Sequence, residues 1–231
     1  MGQKTNPVGI RLNIVRTWDG YWYSDKEYGN YLIEDIKIRN FIYKKIFNNK
    51  NYLRVEVSDI KIKRFTDDIH IYIHTSRPGL LIGKKGQDIE FLKNELTQLL
   101  NSKSKININI TEVKKIDLDA KIIAQTVGKA IEGRVAYKRA MKQSISRTMK
   151  AGAKGIKIQV SGRLNGSDMS RCEYFKEGSI PLHTFNADID FGRYPAQTTY
   201  GKIGVTVWVC RGIGTVDRKE NELLRSVSSE G

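Results

Sequence analysis

The 231-residue chain has little from which to build a redox or metal centre. Its two cysteines, Cys172 and Cys210, stand in no CxxC spacing and near no histidine pair. A disulfide framework or a zinc site is therefore not expected, and a reducing compartment is. There are three histidines, of which His70 and His74 lie in the alternating run Ile69-His70-Ile71-Tyr72-Ile73-His74. There the isoleucines read as a core face and the histidines as a solvated one. A metal held by those two would lack a third ligand. No run of about 18 apolar residues exists to span a bilayer. The opening MGQKTNPVGI has no apolar signal core. Asn6 also stands where a myristoylation pattern needs Ser or Thr. The expectation is a soluble, unexported, cytoplasmic protein that needs no cofactor.

Negative charge is scarce as well. Lys and Arg number 40 against 25 Asp and Glu, a formal charge of +15. That imbalance, with an isoelectric point near 9.7, is the footprint of a protein that binds a polyanion. The length suggests two domains. A hydrophobic content of 39% is low, yet sufficient for two small cores.

The most informative motif is Gly83-Lys84-Lys85-Gly86. Leu80, Leu81 and Ile82 lead into it, and Ile89, Leu92, Leu96 and Leu99 follow at helical spacing. Two glycines let a backbone turn approach a phosphate closely, because no Cβ intervenes. Two lysines supply charge, and the following helix supplies N-terminal N–H groups. A P-loop is excluded, since it needs four residues between its glycines and then Lys with Ser or Thr. A GxxG turn between helices is how KH modules clamp a short nucleic-acid backbone. Taken alone, four such residues also suit a plain surface turn.

The frame around the motif decides between those readings. Residues 1–28 read as a basic, aromatic arm with Lys4, Arg11, Arg16, Trp18, Tyr21, Trp22 and Tyr23. Its aromatic rings either stack on bases or pack on the neighbouring domain. Residues 29–115 give a helix over about 31–47, a strand over Leu53–Val57, the Ile69–Ile73 strand, the helix–GKKG–helix unit and a strand over Ile106–Ile110. That order is the arrangement of a type II KH fold. Residues 116–212 then read as an α/β domain with a basic helix pair on a small mixed sheet, and 213–231 as a flexible tail.

Within 117–150, apolar residues recur at four- or five-residue steps, giving one long helix or two, with Gly128 and Gly133 as weak points. Arg134 to Lys150 holds six cations and no acidic residue. At 100° per residue, Arg139, Arg147 and Lys150 lie across the helix from Tyr137, Met141 and Ile145. Such a face repels itself in water unless a polyanion covers it. Strands follow over 156–160, 185–190 and 203–209, while the segment between the first two is hard to read. Lys4, Arg11, Arg77, Arg134, Arg147, Lys150, Lys154 and Arg163 are the further candidate RNA contacts. Asp188 and Asp190 alternate on one strand and suggest either a shared metal, as in a nuclease, or pairing with nearby arginines. With no third ligand in view, catalysis is not expected.

MGQKTNPVGIRL, TSRPGLLIGKKG, LDAKIIAQTVGKAIEGRV, KRAMKQSISRTMKAGAKGIKIQVSGRL, PLHTFNADIDF and TTYGKIGVTVWV together resemble the bacterial-type small-subunit ribosomal protein S three family. The likeness is collinear over about residues 1–212. It implies a KH domain followed by an α/β domain in the head of the small ribosomal subunit. The implied partners are small-subunit rRNA, messenger RNA and the proteins S four, S five, S ten and S fourteen. The family's messenger-unwinding cations carry over to Lys138, Arg139 and Lys142 in the channel through which messenger enters. Lys138 stands where Arg is often seen, which keeps charge but loses bidentate geometry. Gly133 replaces a common basic residue, and the long basic tail of some members is missing. A free KH regulator outside the ribosome is the alternative, and a bacterial cytoplasm and an organelle with bacterial-type ribosomes both stay open.

Overall fold

The computed structural model describes residues 4–48, 55–65, 68–83, 86–100 and 105–213. It divides into two compact units, 19–114 and a second that joins 1–18 to 115–231. The basic arm expected over 1–28 is thus split: residues 4–18 fold with the C-terminal unit and residues 19–28 with the first.

The chain enters on a single helical turn, α1 (Pro7–Ile10), capped by the Asn6 side chain, which accepts from the Val8 N–H at 3.0 Å. Proline at the first helical position fits there because its missing N–H would have had no partner. The first unit then runs β1 (Gly20–Tyr21), α2 (Tyr28–Asn48), β2 (Val57–Arg64), β3 (Asp68–Thr75), α3 (Pro78–Ile82), α4 (Gln87–Leu100) and β4 (Lys105–Glu112). Its sheet has the order β1-β2-β3-β4. Strands β2 and β3 are antiparallel, whereas β3 and β4 are parallel from Asp68 opposite Lys105 to Thr75 opposite Glu112. Parallel neighbours need a crossover, and α3, the glycine turn and α4 provide it. Ile69, Ile71 and Ile73 alternate into a core with Ile38, Ile42 and Ile46 of α2 and Leu96 of α4. Strand β2 shares only Val57 with the strand expected over Leu53–Val57: it runs on to Arg64, Val55 and Glu56 precede it, and Leu53 and Arg54 lie outside the described residues. A register shift between Val57 and Ile60 breaks its alternation.

Trp22 packs within this unit rather than presenting itself for stacking. Its indole N–H donates to Asp35 at 2.8 Å, and its ring meets Tyr31 edge-on. Asp35 is buried and also accepts from Arg64, whose guanidinium lies 4.8 Å from the Tyr31 ring. Trp18 and Tyr23 are exposed.

The second unit contains α5 (Ala120–Glu132), α6 (Tyr137–Lys150), β5 (Gly155–Gly162), β6 (Arg171–Gly178), β7 (Ala187–Thr198) and β8 (Gly201–Ile213). Its sheet, ordered β6-β5-β8-β7, is antiparallel throughout, not mixed as expected. The helices bury Val127, Ile131, Met141 and Ile145 against Ile156, Ile158, Val160, Val205 and Val207. Asp119 caps α5 by accepting from Lys121 and Ile122, both at 3.0 Å. The helical stretch is two helices, and Gly128 is not the break. A Cβ there would stand 2.1 Å from Cδ1 of Tyr194, so Gly128 is the notch in α5 that receives a ring from β7.

Asp190 organises the base of this unit. Its carboxylate is buried and accepts from the Ala120 N–H at 2.8 Å, Arg16 at 2.8 Å and Arg211 at 2.9 Å. Asp188 also binds Arg16, at 3.2 Å. The aspartate pair therefore belongs to an arginine network, and among the described residues no group of three or more His, Cys, Asp or Glu is placed to hold a metal.

Candidate nucleic-acid interface

Two surfaces carry the residues that the sequence singles out, one in each unit. In the first unit α3 begins with Pro78 and ends at Gly83, where φ is +70°. Gly86 has φ of +80°. Both angles lie in the left-handed region that an L side chain adopts only with strain, so the glycines are required by the backbone path itself. A Cβ on Gly83 would also strike the Asp88 carboxylate at 2.1 Å. Helix α3, which leads into Gly83, rests against α4 and against β4, the edge strand of the sheet. Lys84 and Lys85 lie outside the described residues. Asp88 and Glu90 occupy the first turn of α4. They suit its dipole, but they make that helix end less attractive to a phosphate than its bare N–H groups would be. Arg77, just before α3, is exposed.

The second surface is the outer face of α6. Tyr137, Ala140, Met141, Ile145 and Thr148 are buried, and they fix the rotation of the helix. Lys138, Arg139, Lys142, Arg147 and Lys150 are thereby turned to solvent. Among the described residues none of these five forms an ion pair, nor does Arg134. Lys138 and Lys142 lie 5.9 and 5.8 Å from the rings of Tyr137 and Phe175, contacts that steady the stems while leaving the ammonium groups wet. The Tyr137 hydroxyl donates to Glu173 at 2.8 Å. Burial first, and then that bond, raise its phenol above the ordinary value. The helix is thus clamped at its start by β6 while its cations stay unpaired among the described residues. Such an arrangement can bind a flexible phosphate chain without rearranging the core.

The link between α5 and α6 is a Schellman turn. The Arg134 N–H bonds Ile131 O and the Val135 N–H bonds Ala130 O, both at 3.0 Å. The left-handed position belongs to Arg134 (φ +62°), although glycine usually fills it and Gly133 is its immediate neighbour.

The remaining expected contacts divide. Lys4 and Lys154 are exposed. Arg163 is partly buried, donating to Ser167 O at 3.0 Å and to Asp168 at 3.1 Å. Arg11 is a correction: it is 1% exposed, and its guanidinium donates to Ala187, Pro7, Leu182 and Thr184 carbonyls at 2.8 to 3.0 Å. That side chain ties the arm to the C-terminal unit and has no open face for RNA. Arg16 does the same through Asp188 and Asp190. Sequence reasoning missed a cleft of about 670 Å³ framed by Arg134, Arg163 and Tyr200. Its walls come from three distant segments, and no local pattern announces it.

Among the described residues no helix is long and apolar enough to cross a membrane. Comparison with known proteins gives two family matches: a KH domain over residues 37–118, and the C-terminal domain of ribosomal protein S3 over residues 127–209. The chain is 49% identical to the small ribosomal subunit protein uS3 of Ligilactobacillus salivarius over 96% of its length and 98% of the relative's. It is 46% identical to the protein of that name from Listeria monocytogenes, with the same coverage, and 49% identical to that of Enterococcus faecalis over 96% and 98%. On the strength of both domains and of near-complete coverage, the chain belongs to the small ribosomal subunit protein uS3 family.

Proposed function

We propose that this protein is a structural constituent of the small ribosomal subunit that holds rRNA in the subunit head and lines the channel through which messenger enters. It is not an enzyme. The observation that carries the reading is the outer face of α6, whose cations stand without ionic partners among the described residues. The KH turn at Gly83–Gly86, with Lys84 and Lys85, and the exposed Lys4, Arg77, Arg147, Lys150 and Lys154 serve rRNA. Lys138, Arg139 and Lys142 meet messenger phosphates. Fixed charge of this kind favours separated strands over a duplex, while translocation supplies the work. Neighbours in the assembly are the proteins S four, S five, S ten and S fourteen. The test is translation by ribosomes carrying Lys138→Ala, Arg139→Ala and Lys142→Ala together. Slower reading of structured messengers with normal subunit assembly supports the division of labour, and equal slowing on unstructured messengers contradicts it.

A further inference from the structure

We propose that the cleft between the α5–α6 link and the β7–β8 turn is a subsite for one unpaired RNA nucleotide, with the open face of Tyr200 as its stacking platform. The inference rests on RNA being the ligand of this unit. Two neighbours support the Tyr200 ring. Gly166 lies so close that a Cβ would stand 2.9 Å from Cε2, and the Arg163 guanidinium lies 5.7 Å from the ring centroid. Arg163 is in turn held by Ser167 and Asp168. Even so, the residue is 58% exposed, so a supported aromatic face looks outward at the mouth of a cavity. Every base has a π-face, and such a platform takes one without sequence preference.

The charge around the ring suits a nucleotide rather than an apolar guest. Arg134 lines the same cleft and has no ionic partner among the described residues. The acid in the wall, Glu132, already accepts from the Gln197 N–H at 2.7 Å and from the Tyr194 hydroxyl at 3.3 Å. Two cations, Arg134 and Arg163, line the cleft against this one carboxylate, and a phosphate meets Arg134 as the open one. Arg134 also holds a backbone conformation that glycine would take without strain. Retaining arginine at a strained position is the pattern expected where the side chain is used. Tyr137 forms part of the wall, which places the cleft beside the first turn of the helix that carries the cationic face.

The test uses the full-length protein, a short oligoadenylate and its abasic counterpart, with binding followed by fluorescence anisotropy. Base stacking is lost in Tyr200→Leu, and affinity for oligoadenylate falls roughly 5- to 100-fold while abasic binding stays unchanged. Arg134→Gly weakens both oligonucleotides and raises the unfolding midpoint, so its effect on binding is not a failure to fold. If both variants bind oligoadenylate like the parent while the Lys138, Arg139 and Lys142 triple variant binds poorly, the subsite is refuted and RNA binding by α6 stands. If the triple variant also binds normally, the underlying reading falls with it. In assembled small subunits, benzoylphenylalanine in place of Tyr200 identifies the source on irradiation. A crosslink to rRNA or to messenger supports the subsite and names its donor; crosslinks to protein alone overturn it.

Discussion

Replacing Lys138, Arg139 and Lys142 with alanine removes three cations that make no ion pair among the described residues and contribute little to the core. Each single-strand phosphate neutralised adds roughly 0.7 to the slope of log affinity against log salt. If all three meet phosphates, the triple variant lowers that slope by about 2. Between 50 and 200 mM salt, the parent then loses roughly 20-fold more affinity than the variant does. The cost to folding is small, about 0.5–1 kcal/mol for each of the two ammonium–ring contacts. Alanine's helix propensity offsets part of it. Anisotropy titrations of a single-stranded oligonucleotide at several salt concentrations measure the slope, and urea unfolding measures the stability. An unchanged slope would refute the assignment of these cations to phosphates. A stability loss of several kcal/mol would instead mean that the helix face is structural.

Arg11→Ala empties a buried site and leaves four carbonyls without their donor, so it destabilises the chain by roughly 3–5 kcal/mol in urea unfolding with no change in the RNA salt slope. Gly128→Ala forces a methyl against Tyr194. The overpacking, about 1–3 kcal/mol, outweighs the roughly 1 kcal/mol that alanine gains over glycine in a helix. The unfolding midpoint therefore falls, and Tyr194→Leu in the same chain restores part of it. Burial first, and then Glu132, push the Tyr194 phenol up to about 12. The neutral phenol is favoured in the fold, so its stabilisation is complete below the ordinary value near 10 and is lost as pH rises from there through about 12. Tyrosinate absorbance near 295 nm shows a late-titrating phenol that Tyr194→Phe abolishes. Asp190→Asn removes the buried one of the two carboxylates that Arg16 and Arg211 share and lowers stability by roughly 3 kcal/mol, again by urea unfolding.

The alternation of Ile69, Ile71 and Ile73 exposes the central strand of the first unit to a reader of the sequence, because one face of that strand is buried and the other is not. The same logic placed α6, whose core side is apolar and whose outer side is basic. Strand β6 was hidden for the opposite reason. It lies at the edge of its sheet, and most of RCEYFKEG is exposed, leaving no alternation to see. The antiparallel order of that sheet was likewise not legible, since short connections and return loops leave the same local pattern. Composition cannot tell a phosphate-binding arginine from Arg11 or Arg16, whose partners in the C-terminal unit include Ala187 and Asp190, more than 170 residues away along the chain. Gly128 looked like a helix breaker because its purpose, room for Tyr194, comes from a distant strand. The cleft at Tyr200 was invisible for the same cause, being assembled from three segments that meet only after folding.

Sedimentation of a cell lysate through sucrose at moderate and high salt shows whether the protein is an integral part of the small subunit. Stoichiometric protein in small subunits and polysomes that survives high salt is the expected result. A peak confined to the light fractions would contradict it and make a free KH-type RNA-binding regulator the better description.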